Sequence, residues 1–333
     1  MATSGSWDFG LTGTTVIQSA MEDLGVIEPG GTVATADATL ALQRLNYIIK
    51  QYQGRSDGAP GLKIHTRQRI WLFLALGQQK YTVGPASTDS RATTAPGRTT
   101  IRAAEAAGQT ALDITAITDT TIDPGTTITM TASDIIGIQT DKAGGDDTHW
   151  STISSTGAGP IVTIGAALPT GQPAAAGNYV WWFTARAQRF PYIESAVLRD
   201  SNWTDTPLTI YTDVREYEEW VGNKYADGDP TAILVEPLRL NTRITLDTQP
   251  TDVTKQIYMT VYYPAEDMDA AANDVSFPQE SYRFLSWELA FALAPSYGSI
   301  WTPAMEQNRT EARAMYLNLN PENSVLFFEP GGP

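Results

Sequence analysis

Apolar side chains open this chain with a helical period. Val16, Ile17, Ala20, Met21 and Leu24 recur at three- and four-residue spacing, which predicts a helix over 14–24 that stops at Gly25. Glu28-Pro29-Gly30-Gly31 reads as a turn, and Thr35 or Asp37 is placed to cap a second helix over about 36–53. That helix puts Leu42, Leu45, Ile49 and Tyr52 on one face, with Ile48 beside them and Gly54 at its end. After a loop over 56–61 the period changes. Residues 63–70 and 71–76 read as extended, and a turn at Gly77 leads to 79–83 as the return strand of a hairpin.

From Gly84 to Asn178 short β-type runs recur between turn signals, at 99–102, 111–114, 126–130, 135–140, 150–154 and 161–164. No helical period interrupts them, so this stretch predicts an inserted small all-β domain, a sandwich or a barrel. Alternation then resumes at Tyr179-Val180-Trp181-Trp182-Phe183. Tyr179, Trp181 and Phe183 are predicted on one sheet face, with Val180 and Trp182 on the other. Further strands are expected at 196–198, 208–212, 232–236, 242–246 and 256–263, with a short Asp213-capped helix over 213–220. Two helices follow, one over 278–294 opening at a proline, the other after Thr302 with Pro303 in its first turn. The second is expected to turn Met305, Ala312, Met315 and Tyr316 inward. Past Pro321, the segment Asn323-Ser324-Val325-Leu326-Phe327-Phe328 is too apolar for an ordinary solvated tail.

Composition narrows the classes. At 333 residues with nine Trp and 10% aromatics the chain can bury a large core, which argues against disorder. No Cys is present, so a disulfide framework, a thiolate nucleophile and a Cys-based zinc site are unavailable. Met1–Ser6 carries neither the basic region nor the apolar run of a signal peptide, and the longest apolar run, 70–76, is far shorter than a membrane span. A soluble protein made in the cytoplasm, without a membrane partner, is the expectation. The formal net charge is −15, and residues 181–333 carry 22 acidic against 11 basic side chains. Broad neutralisation of a DNA backbone needs clustered Lys and Arg, so sequence-specific DNA binding is not expected.

The candidate chemistry is thin. His65 and His149 are the two histidines, and no Gly-x-Ser-x-Gly elbow, phosphate loop or Gly-x-Gly-x-x-Gly is present. Asp141, Asp146, Asp147 and His149 are the residues that would gather a cation, though their spacing matches no EF-hand and loop solvation is the better reading. Glu216 and Glu219 share a helix face and invite a glycosidase reading, while Glu266, Asp267 and Asp269 form a second acidic cluster. Trp181 and Trp182, with Trp150 and Trp203, suggest a sugar-stacking platform, against which stands plain core packing. The expectation is no enzyme, no cofactor and no metal, with a carbohydrate-binding virion module or a cell-wall glycosidase as alternatives.

Three blocks carry a resemblance. They are Ile48-Ile49-Lys50-Gln51-Tyr52-Gln53 before a Gly-rich loop, Arg215-Glu216-Tyr217 with Asn223-Lys224, Gly228 and Pro230, and a C-terminal block. The last runs from Tyr262-Tyr263-Pro264-Ala265-Glu266-Asp267 through Phe277-Pro278-Gln279-Glu280 to Leu293-Ala294-Pro295-Ser296-Tyr297-Gly298. In this order they resemble the head-to-tail adaptors of short-tailed bacteriophages, the packaged-DNA stabilisation or tail accessory factor family. The resemblance implies an α+β fold with a helical-bundle adaptor core over 1–84 and 179–320, the inserted β domain over 85–178, and a docking tail over 321–333. It implies a virion protein at the head–tail junction, in a ring of about twelve copies under the portal. Such a ring extends the DNA channel, helps retain packaged DNA and meets downstream tail proteins. On that reading Val325, Leu326, Phe327 and Phe328 dock on the portal. Glu216, Glu219, Glu266, Asp267 and Asp269 line the ring or the channel, close to DNA without binding it specifically.

Overall fold

The computed structural model describes residues 12–53, 67–85, 87, 90–122, 126–157, 159–223, 225–274, 277 and 279–318. In chain order, α1 (Gly13–Asp23) and α2 (Thr35–Gln53) lead into β1 (Arg67–Phe73), β2 (Lys80–Val83), β3 (Ala92–Thr93), β4 (Gly97–Thr100) and β5 (Ala111–Asp113). Next come β6 (Thr118–Asp119), β7 (Ile128–Thr129), β8 (Ile135–Thr140), β9 (Asp147–Thr156), β10 (Ile161–Ile164) and β11 (Tyr179–Phe183). Then follow β12 (Tyr192–Arg199), β13 (Asp205–Pro207), β14 (Thr209–Tyr211), α3 (Val214–Trp220), β15 (Ala232–Pro237), β16 (Thr242–Leu246) and β17 (Gln256–Tyr262). A 3₁₀ turn at Gln279–Ser281 precedes α4 (Tyr282–Tyr297) and α5 (Pro303–Asn318). The chain divides into two compact units, one comprising Met1–Thr66 with Pro264–Pro333, the other Arg67–Tyr263.

The first unit is helical. Thr12 caps α1 by accepting from the Thr15 amide, and Val16, Ile17, Ala20 and Met21 of α1 are buried against Leu45 and Ile49 of α2 and Leu285, Leu289 and Leu293 of α4. Helix α4 runs through Pro295, beyond the stop expected at Ala294. A proline in the last turn forfeits one backbone bond, and Gly298, at φ 62°, closes the helix in the left-handed conformation. Helix α5 lies antiparallel to α4. Arg309 donates to both oxygens of the buried Glu288 at 3.1 and 2.9 Å, and its guanidinium lies 3.8 Å from the Phe291 ring centre. Ala312 and Tyr316 face inward as expected, but Met315 is 59% exposed.

The second unit is built from sheets. One has the order β13-β12-β17-β1-β3, a second β4-β11-β8-β9-β10-β5, and a third β14-β15-β16-β2, with β6 and β7 forming a small ribbon. Strand β17 pairs antiparallel with both β1 and β12, so three segments far apart in sequence meet in one ladder. Ile70 and Leu72 of β1 enter the core shared with β15, β16 and β17, whereas Phe73 enters a separate aromatic cluster with Trp181 and Phe183. Val180 and Trp182 point the other way, into the core of the six-stranded sheet. The period of two predicted at 179–183 is thus met, and both faces are buried.

The expected helical-bundle core with β elements is corrected by this architecture. Among the described residues seventeen strands in four sheets stand against five α-helices, and in the larger unit only the seven-residue α3 is α-helical. The helical periods at the two chain ends close on each other. The intervening alternation, which pairs with itself, builds its own cores. The expected boundary at 178/179 falls at the edge of β11, which lies between β4 and β8 in the six-stranded sheet.

Two consequences are measurable. A Cβ at Gly97 would sit 2.2 Å from the fully buried Trp182 ring, so Gly97→Ala is expected to destabilise the larger unit by about 1–3 kcal/mol in urea unfolding. Burial also pushes the Tyr81, Tyr217 and Tyr263 phenols up to about 12 from 10.0. The folded state therefore favours the neutral phenols, and this contribution is complete below about pH 10 and lost as pH rises toward 12. Thermal melts should fall across that window, and Tyr81→Phe should flatten the fall.

Candidate functional site

The acidic residues singled out in the sequence fall on two separate elements. Glu216 and Glu219 lie on α3, whose first turn is capped by Asp213 accepting from the Arg215 amide at 2.8 Å. Both carboxylates are exposed, and Glu219 accepts from Arg215 at 3.0 Å one turn away. This is a solvated helix face. Surface pairs of this kind contribute about 0.3–0.5 kcal/mol. Glu266, Asp267 and Asp269 lie in the segment that follows β17, within the helical unit, and all three are exposed. There Lys50 of α2 donates to the Ala265 carbonyl at 2.8 Å and pairs with Asp267 at 2.7 Å. Asn46 donates to the Met268 carbonyl and accepts from its amide, so α2 holds this segment by two polar side chains. A cleft of about 180 Å³ opens between Ile49, Asp267, Asn273 and Phe277. The two acidic groups are each coherent locally, but they belong to different units. Val325, Leu326, Phe327 and Phe328 lie outside the described residues.

The cation reading of Asp141, Asp146, Asp147 and His149 finds each side chain already occupied. Asn178 donates to Asp141, Gln139 to Asp146 and Lys142 to Asp147, while His149 Nε2 lies 3.1 Å from the Ala166 carbonyl. Among the described residues no group of three acidic or imidazole side chains is placed to hold a metal. His65 lies outside the described residues. Trp181 and Trp182 are 3% and 0% exposed, so neither presents a face to a sugar.

What the sequence reading misses is a seam of arginines and aromatic rings in the larger unit. Arg199, at the end of β12, places its guanidinium carbon 4.2 Å from the Tyr258 ring centre and 4.9 Å from that of Trp71. Its Nε and Nη2 donate to the two Asp205 oxygens, each at 2.6 Å, and this bond holds the guanidinium pKa above its usual value. Trp203 covers Arg199 at 5.5 Å and Arg98 of β4 at 4.6 Å. Arg98 in turn faces Tyr179 and Trp181 of β11 at 5.6 and 5.7 Å. The seam therefore runs from the sheet of β1, β12 and β17 to the sheet of β4 and β11.

Trp203 reaches this position at a backbone cost. Its φ is +66°, a region that a bulky residue enters at about 1–2 kcal/mol. The turn compensates, because Asp200 accepts from the Asn202 and Thr204 amides at 2.8 Å each. A cleft of about 440 Å³ lies beside the seam, with Arg67, Arg69, Trp71, Ile128 and Tyr258 among its walls. Chemically the seam holds half-buried cations against ring faces, an arrangement suited to joining sheets. Its members come from positions 71, 98, 179, 181, 199, 203 and 258, on five separate segments of the chain.

No protein-family model matches this chain, and no curated protein sequence matches it.

Arg199→Lys removes the second donor to Asp205 and the flat cation between Tyr258 and Trp71. The expected loss is about 1–2 kcal/mol in chemical denaturation. Arg215→Lys on the exposed α3 face should change stability by no more than about 0.5 kcal/mol.

Proposed function

We propose that this chain is the subunit of a head-to-tail adaptor in a tailed bacteriophage virion. It would assemble as a ring beneath the portal, extend the DNA channel and present a platform to later tail proteins. The resemblance of three ordered sequence blocks motivates the reading. The observation that carries it is the set of exposed apolar side chains on α4, α5 and the connection between them. Phe291, Ile300 and Met315 are 41%, 85% and 59% exposed, and Phe291 and the neighbouring Trp301 meet edge to face at 5.2 Å between ring centres. Large apolar side chains exposed on α4, on α5 and in the connection between them suit a protein that works against other subunits. The chain segment that follows α5 contains Val325-Leu326-Phe327-Phe328, the proposed portal anchor.

In a ring, contacts that are weak singly multiply through closure and through a symmetric platform. The exposed carboxylates Glu216 and Glu219 on α3, and Glu266 and Asp269 beside the Lys50-paired Asp267, would repeat around the axis as acidic bands. Such a surface repels the DNA backbone and leaves it free to slide.

Mixing the full chain with the portal of the same virus should yield a ring stacked on the portal by negative-stain imaging and mass determination. Truncation after Asn320 should abolish the stacking. Absence of association at every concentration tried would overturn the adaptor reading.

A further inference from the structure

The cleft beside the arginine seam contains one arginine that the seam does not use. The cleft measures about 440 Å³, within the range of small-molecule sites, and its walls lie within the larger unit. Strand β1 forms one side. Residues two apart on a strand share a face, so Arg67, Arg69 and Trp71 follow one another along it. Tyr258 of β17 lies against Trp71, with ring centres 4.6 Å apart, and Pro96, Ile122 and Ile128 supply further apolar wall. Among the described residues no carboxylate lines the cleft.

Five arginines lie on the described strands, and four of them are engaged. Arg67 is held by Glu194 at 3.0 Å, and Arg243 pairs with Glu236 at 3.7 Å. Arg199 donates to Asp205, and Arg98 lies against the Tyr179, Trp181 and Trp203 rings. Arg69 is the exception. It is exposed, and among the described residues it makes no hydrogen bond, ion pair or ring contact. Its cross-strand neighbour on β17 is Thr260, which is paired in turn with Ser195 of β12, so the sheet offers it no charge at that register. In a chain with 37 acidic and 22 basic side chains, a strand arginine with neither carboxylate nor ring stands in the wall of an apolar cleft.

We infer that this cleft binds a small organic acid, a single carboxylate on an aromatic or branched apolar body. The carboxylate sits on the Arg69 guanidinium, and the body lies against Tyr258, Ile122 and Ile128. A guanidinium fork takes the two oxygens of one carboxylate side by side. A phosphate dianion would ask for a second free cation, and Arg67 is already committed to Glu194. An uncharged apolar ligand would strip water from Arg69 and return nothing for it. This site is independent of the adaptor reading.

The test is calorimetric titration of the full chain with 3-phenylpropionate, and with 3-phenylpropionamide as the neutral compound of the same shape, at constant ionic strength. Saturable binding of the acid is expected, with the amide about tenfold weaker or more. Arg69→Gln changes an exposed side chain, so the fold is retained, and it should weaken the acid about tenfold while leaving the amide unchanged. Ala95 is exposed at the cleft wall, so Ala95→Trp should fill the space and remove binding of the acid with Arg69 still in place. Absence of saturable binding of the acid, equal affinity for acid and amide, or undiminished binding in either variant overturns the inference. Tighter binding of phenyl phosphate than of the acid overturns the carboxylate assignment.

Discussion

The larger unit depends on a strand buried on both faces. In β1 the run Ile70-Trp71-Leu72-Phe73 sends alternate side chains to opposite sides, and all four are 5% exposed or less. Ile70 and Leu72 complete the aliphatic core with β15, β16 and β17. Trp71 meets Arg199 and Tyr258, and Phe73 stacks on Phe183 with ring centres 6.0 Å apart. A one-residue slip in the pairing of β1 with β17 would exchange these sets, putting rings where branched aliphatics pack. The register of this ladder thus decides both cores at once.

Much of the element order was legible because its signals are local. Periodic apolar residues place α1 and α2 within a residue or two, although Thr35 and Asp37, expected as caps, lie inside the first turn of α2, and Asp213 marks α3. The termini of α4 were less legible. Its first turn is a 3₁₀ segment, and Pro295, which reads as a stop, is absorbed in its final turn. Sheet membership was not legible at all, since antiparallel pairing joins residues such as Trp71 and Tyr258 with no marker in either segment. The helical signals at the ends therefore suggested a helical core for the whole host, although their apolar faces are satisfied by one another. The acidic candidates were readable as exposed. The arginine seam was not, because a guanidinium between two rings is a tertiary arrangement that brings together residues from separate segments, such as Trp71, Arg199 and Tyr258.

In this acidic protein the arginines do unusual packing work. Arg309 bridges α4 and α5 through Glu288 and Phe291, and Arg98 and Arg199 lie against rings drawn from two sheets. Planar, weakly hydrated guanidinium serves there as both cation and flat filler, which an ammonium does not reproduce.

The interrupted layout of the helical unit bears on how the chain comes off the ribosome. Helices α1 and α2 are made first, yet the α4 and α5 faces they pack against follow more than 200 residues later. At a synthesis rate of ~5–20 residues/s that is about 10–45 s during which two amphipathic helices have only each other, with the apolar faces that α4 will cover still open. The intervening unit, whose strands all lie within Arg67–Tyr263, can finish folding in that interval. The nascent chain thus passes through a stage in which its middle is native while its beginning still seeks shelter. That stage is where a holdase chaperone would engage it and where a translational pause would cost it most.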